Sequence, residues 1–304
     1  MRILCPAQIV MPNTLAHAGV QGLTTRTTVS EADLRWIYLG CVIPDVPWIL
    51  QRAAHVMVPG VDPYLLRSYV IIQASLLGCV VLSAAAALLA QAFWRTWAIL
   101  GGNAVLHLGI DAMQTKWGNG VHFLAPFSWD LTNWGLFWPE SAVTYGLTAF
   151  GLGYILRYWR PSLSETLDLV WTRPARWMGL GVVLVGYLAL PFLLLPAPIE
   201  ADTHYLGTLQ ASENRVGHAV AFDREQYLET QNGAVIEYYG GRVAVEPLEV
   251  ESPATVSLRG VFIEENQIRA TAYHVHAGGL RNYASYLGLA LIAFIWGAAL
   301  WRRE

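Results

Sequence analysis

The chain reads as an α-helical polytopic membrane protein of about six spans, some of them broken, with a small all-β domain on its outer side. Three observations predict this class. Of the 304 residues 55% are hydrophobic and only 13% charged, about half the charged share of a soluble domain, and mean hydropathy is +0.39. Apolar stretches near the ~20 residues needed to cross ~30 Å of hydrocarbon recur along the chain. One segment, Ala197 to Asn282, breaks that pattern with short alternating runs and twelve acidic against six basic residues.

The elements follow in order. Met1 to Thr28 is not a signal peptide, because Pro6 and Pro12 interrupt its apolar run and no small-residue cleavage site follows. A short helix or re-entrant piece over Asn13 to Leu23 is expected instead. Ala32 to Leu50 is a span broken by Gly40, Pro44 and Pro47, and it carries Asp45. Tyr69 to Phe93 is a clean span. Trp97 to Met113 is apolar but contains Asn103, His107 and Asp111. Ala142 to Leu156, Trp177 to Leu195 and Tyr283 to Trp301 complete the six.

Arginines set the orientation. Arg157, Arg160, Arg173 and Arg176 fill one loop, Arg95 a tight turn, and the chain ends Trp301-Arg302-Arg303. Six crossings with both termini cytoplasmic, in a bacterial inner membrane, put all of them inside. The segments Gln114 to Ser141 and Ala197 to Asn282 then face the periplasm or exterior. Residues 1–196 form the membrane-embedded domain, 197–282 the β domain and 283–304 the last helix.

Five runs in the outer segment read as strands: Val216 to Phe222, Ala234 to Tyr239, Val243 to Val250, Thr255 to Ile263 and Ile268 to Val275. Asn232-Gly233, Gly240-Gly241, Ser252-Pro253 and Glu265-Asn266 punctuate them, as in a small barrel or sandwich. The run from Val256 to Val275 resembles the last hairpin of OB-fold domains, hence an OB-like barrel. A phosphate-tracking groove needs excess positive charge. This segment nets −6 and the whole chain −3, so no nucleic-acid partner is expected. Membrane lipids, and a protein partner through the β domain, are.

Ionisable groups at membrane depth are functional hypotheses by default. His107 and Asp111, four apart, project from one helix face. Asp45 follows Pro44 where an apolar run breaks, and His17 sits among small neighbours in Thr14-Leu-Ala-His17-Ala-Gly19. Neutral imidazole and ionised carboxylate make a ligand set for zinc, or for manganese or iron. Blander readings stand beside this one: a packed core histidine at 17, a structural His107–Asp111 pair, and Asp45 as a helix cap. His122, Asp130 and Glu140 could complete a metal shell from the outer loop, whose tryptophans 117, 129, 134 and 138 read as an interfacial belt. Lys116, the only lysine, reads as coding bias. Cys5, Cys41 and Cys79 form no CxxC pair, and serine-hydrolase, zincin and phosphate-loop motifs are absent from the sequence.

Taken together, Thr14-Leu-Ala-His17, Gly40-Cys-Val-Ile-Pro44-Asp45, Leu106-His107-Leu-Gly-Ile-Asp111 and Gly120-Val-His-Phe-Leu-Ala-Pro126 resemble the bacterial membrane-bound metal-dependent hydrolases. The resemblance covers roughly residues 13 to 130. It implies a divalent metal held by His17, Asp45, His107 and Asp111, with Asp111 and Asp45 also serving catalysis. One element departs: where the family has H-R-G-x-T-H-S, this chain reads Gln51-Arg52-Ala-Ala-His55-Val-Met57, leaving His55 as a stand-in ligand. The expected function is hydrolysis of a lipid ester, phosphodiester or lipid-linked substrate at the outer membrane–water interface. The alternative is a non-catalytic scaffold or partner-binding membrane protein with a structural His/Asp metal site.

Overall fold

A computed structural model describes residues 13–164 and 169–301. The reading of the first residues as lacking a signal peptide falls largely outside these, as does the terminal Arg302-Arg303 pair. Asn13 caps helix α1 (Thr14–Thr28) by accepting from the Ala16 N–H at 3.2 Å. Asp33 caps α2 (Leu34–Val42), which runs into a 3-10 turn at Ile43–Asp45 and then α3 (Val46–Met57). Pro44 and Pro47 punctuate this stretch, since each lacks the N–H an unbroken helix would use. Helices α4 (Pro63–Ala74) and α5 (Leu76–Ala87) meet at Ser75, whose hydroxyl caps α5, and bend by 66°. Then come α6 (Phe93–Met113), α7 (Ala142–Arg157), α8 (Trp159–Ser164) and α9 (Pro174–Leu194).

Helix α1 lies at the centre, packed on α2, α6, α7 and the final helix α12 (Leu280–Trp301). A Cβ on Gly151 of α7 would overlap the Leu15 carbonyl of α1. Glycine at that position therefore sets how closely α7 approaches the turn bearing His17. Gly40 does the same between α2 and α6, where a Cβ would stand 2.7 Å from Asn103 Cβ.

Six spans are not what forms. Among the described residues two helical stretches, Pro174–Glu200 and Leu280–Trp301, are long and apolar enough to cross a bilayer, and three if the bent α4–α5 pair counts as one. Helix α7 has 16 residues, which at 1.5 Å per residue is ~24 Å, short of the hydrocarbon thickness. Helix α6 is long enough, but Arg95, Asn103, His107 and Asp111 dilute its hydropathy. The Ala32–Leu50 segment divides into α2 and α3 at its prolines.

After α9 the chain makes two short helices, α10 (Pro196–Glu200) and α11 (Leu206–Gln210), packed on α4. The sheet begins only at Ala219. Its strands are β1 (Ala219–Thr230), β2 (Gly233–Tyr238), β3 (Gly241–Val245), β4 (Ala254–Glu264) and β5 (Gln267–Val275). They close in the order β1-β2-β3-β5-β4, with β3 and β5 the parallel pair. Phe222, Tyr227, Ile236, Val243, Leu258 and Phe262 fill the interior. Strand β1 outruns its expected end at Phe222 because a bulge between Phe222 and Glu225 absorbs the polar Asp223-Arg224 step.

Candidate metal centre

Two helices and one turn deliver the polar residues to a single buried place. His17 comes from the first turn of α1, Asp45 from the 3-10 turn, and His107 and Asp111 from one face of α6. His17 and His107 are wholly buried and Asp45 is 3% exposed. The two imidazoles stack with centroids 3.9 Å apart and planes at 17°. His17 Nε2 lies 3.4 Å from Asp111 Oδ1, His107 Nε2 3.5 Å from Asp45 Oδ1 and 3.9 Å from Asp111 Oδ2.

Hydrogen bonding fixes what these atoms can do. His107 Nδ1 lies 2.7 Å from the Cys41 carbonyl oxygen, which can only accept, so Nδ1 carries the proton and Nε2 a lone pair. That lone pair faces two carboxylates, acceptor against acceptor, and Nε2 is buried without a hydrogen-bond partner. His17 Nδ1 lies 3.4 Å from the Gln21 side-chain amide. Gln21 Nε2 faces the ring and donates, so Nδ1 accepts and the proton of the neutral imidazole sits on Nε2. His17 Nε2–H then faces Asp111 Oδ1, and binding an ion through Nε2 requires moving that proton to Nδ1 and turning the Gln21 amide over. Donor atoms of His17, His107 and Asp111 all lie within 4.8 Å of one another, and two donors on one tetrahedral ion stand ~3.4 Å apart. Asp45 sits one step outside that trio, against His107.

The residue missed in the sequence is Lys116. Its Nζ lies 2.9 Å from Asp111 Oδ2, with the two side chains 10% and 12% exposed. The chain's only lysine is therefore a charge partner of the cluster. Its sole signal was that singularity, five residues beyond Asp111.

His55 does not join. It is exposed in the last turn of α3, ten residues and so ~15 Å of helix beyond Asp45. The outer-loop candidates also go elsewhere. His122 contacts His204 at 3.2 Å, and burial holds His122 down at about 4. Asp130 accepts from the Ser128 hydroxyl at 2.6 Å on the surface. Glu140 meets the barrel. His276 Nδ1 lies 2.9 Å from it, the Arg224 guanidinium donates to it, and Ser257 Oγ stands 2.8 Å from His276 Nε2. Burial opposes charge on Glu140, but the His276 hydrogen bond and Arg224 outweigh it and hold the carboxyl at about 2. Glu140, His274 and His276 also have metal-ligand spacing. However, Arg224 Nη1, 3.0 Å from His276 Nδ1, already supplies the cation there. Arg224 holds φ +60°, a costly backbone for a non-glycine residue, at the β1 bulge.

The tryptophan belt is also largely redirected. Trp138 stacks on His274 at 3.8 Å, Trp117 lies under Arg259, and Trp129 is buried beneath α11. Only Trp134 of the four is exposed. The loop thus pins the helical body to the barrel.

No protein-family model, curated protein or solved structure matches the chain.

Proposed function

We propose that the chain is a membrane-embedded metal-dependent hydrolase. His17, His107 and Asp111 hold a divalent ion, zinc in first place and manganese or iron after it, with Asp45 beside them. One observation carries the reading: the buried His107 Nε2 lone pair faces two carboxylates, an arrangement of acceptors that a cation makes favourable. A bound ion would supply a water of pKa near ~7 and polarise a scissile carbonyl or phosphoryl oxygen. Asp45, outside the trio, is placed to accept the proton of such a water. The Cys41 carbonyl fixes the His107 tautomer, and Gln21 orients the His17 ring. The substrate is a lipid ester, phosphodiester or lipid-linked molecule reached at the outer interface. The OB-like barrel lies on that side and serves protein contact.

Elemental analysis of the purified protein tests this first. One or two equivalents of a divalent metal in the wild type, lost in His107→Ala, support it, and a metal-free protein that takes up no zinc sinks it. Turnover on a lipid-ester and phosphodiester panel, abolished by chelation, tests the chemistry. The second reading, a non-catalytic scaffold, is favoured by Lys116, because an ammonium on Asp111 neutralises one carboxylate without any ion. Inactivity across the panel with metal retained would select it.

A further inference from the structure

Arg95 and Arg176 line one cleft of about 530 Å³ between the first turn of α6 and the first turn of α9. Backbone pairing brings the two turns together. The Val170 N–H donates to the Leu89 carbonyl at 2.8 Å, tying the approach to α9 to the turn before α6. The Arg176 guanidinium lies 5.8 Å from the centre of the Phe93 ring. Arg95 Nη2 donates to the Glu31 carbonyl at 2.9 Å, which uses one of the five N–H donors a guanidinium carries. Leu88, Phe93 and Trp94 form the apolar wall.

No carboxylate is among the described residues that line the cleft. Neither arginine has an ion-pair partner among the described residues, whereas the exposed Arg242 and Arg269 of the barrel each pair with a glutamate. The helices set the level of the cleft. Arg176 and Trp177 lie in the first turn of α9, where the 27-residue apolar stretch Pro174–Glu200 begins. Trp94, Trp171 and Trp177 are all exposed at this end, and the rings of Trp171 and Trp177 stand 5.5 Å apart. Exposed tryptophan and arginine at the end of an apolar helix mark the headgroup layer of a bilayer.

We propose that the Arg95–Arg176 cleft binds the headgroup of an anionic phospholipid. The guanidiniums take the phosphate oxygens, and Leu88, Phe93 and Trp94 cover the start of the acyl chains. A zwitterionic lipid carries its own cation beside the phosphate, and a free phosphate leaves the apolar wall uncovered, so both bind less well. The site is separate from the candidate metal centre. On α6, Arg95 stands sixteen residues before Asp111, which is ~24 Å of helix. The lipid site therefore does not depend on the hydrolase reading.

Full-length protein in an uncharged detergent, stripped of metal by chelation, is titrated by calorimetry with dihexanoyl phosphatidylglycerol below its micelle concentration. Dihexanoyl phosphatidylcholine and inorganic phosphate are the comparison probes. Phosphatidylglycerol should bind saturably and more tightly than either. Arg95→Gln and Arg176→Gln should each weaken it about fivefold, and the double variant roughly 25-fold, as expected for one cation each against an anionic headgroup. Arg242→Gln, on the barrel, should leave it unchanged. No saturable binding of phosphatidylglycerol, equal binding of phosphatidylcholine, or an affinity unmoved in the double glutamine variant overturns the proposal. Phosphate bound as tightly as the phospholipid overturns the lipid assignment. Should Arg95→Gln unfold through its lost hold on Glu31, Arg176→Gln carries the same comparison. Zinc uptake measured on the same samples reports the metal cluster separately.

Discussion

Replacing Lys116 with methionine separates a metal centre from an ion-pair cluster by the sign of the effect. Lys116 Nζ stands 2.9 Å from Asp111 Oδ2 in a nearly dry environment. An ion bound by Asp111 would lie ~2 Å from its oxygen and so roughly 5 Å from the ammonium. A unit and a double positive charge at that separation repel by about 7 kcal/mol at an effective dielectric of ~20. Much of this relaxes as the lysine stem swings away, but a residue of about 1.4 kcal/mol already makes zinc tenfold tighter in Lys116→Met. Without an ion the same variant leaves a buried carboxylate unpaired, at a cost of about 3–5 kcal/mol. Zinc titration of chelator-treated protein and thermal unfolding with and without metal read both terms. The metal-free variant should melt below the wild type and gain more from zinc. Zinc binding that is unchanged or weaker in Lys116→Met would refute the claim that lysine and ion share Asp111.

The ligands should behave as a unit. His107→Ala and Asp111→Ala each weaken zinc by about 100-fold or more, the double variant little further, while His55→Ala leaves zinc titration unchanged. Gly151→Ala should cost about 1–3 kcal/mol by forcing α7 off α1 and loosen zinc through His17. Gly101→Ala, where a Cβ meets nothing within 4 Å, serves as the silent control. Glu140 has its carboxyl lowered to about 2 by the barrel contact, so its contribution is present above the ordinary value near ~4.3 and fades as pH falls toward 2. In unfolding curves from pH 6 to pH 3 the wild type should lose up to about 2 kcal/mol that Glu140→Gln does not lose. A variant with the wild-type slope would place the acid sensitivity elsewhere. For orientation, a cysteine at Ser164 should label only after permeabilisation and one at Asn232 in intact spheroplasts. External labelling at Ser164 would invert the proposed topology.

Patterns carried by neighbouring residues were readable without coordinates. The five strands lie near where alternation and the Gly233 and Gly241 turns put them, because strand period and turn chemistry are local properties. The i, i+4 face of His107 and Asp111, and the costliness of Asp45 at a proline break, were local too. Span count was not. Apolar composition marks Tyr69 to Phe93 and Ala142 to Leu156 equally well, but a serine cap bends one and length stops the other. Tertiary structure alone decided the partners. His17 meets Asp111 because α1 packs against α6, and Lys116 meets it because the chain turns back after α6. Glu140 meets the barrel because a bulge in β1 presents Arg224. A side chain's chemistry is written in its own residue. Which charge neutralises which depends on distances of a few ångströms between segments far apart in sequence, and those are set only when the helices pack and the sheet closes.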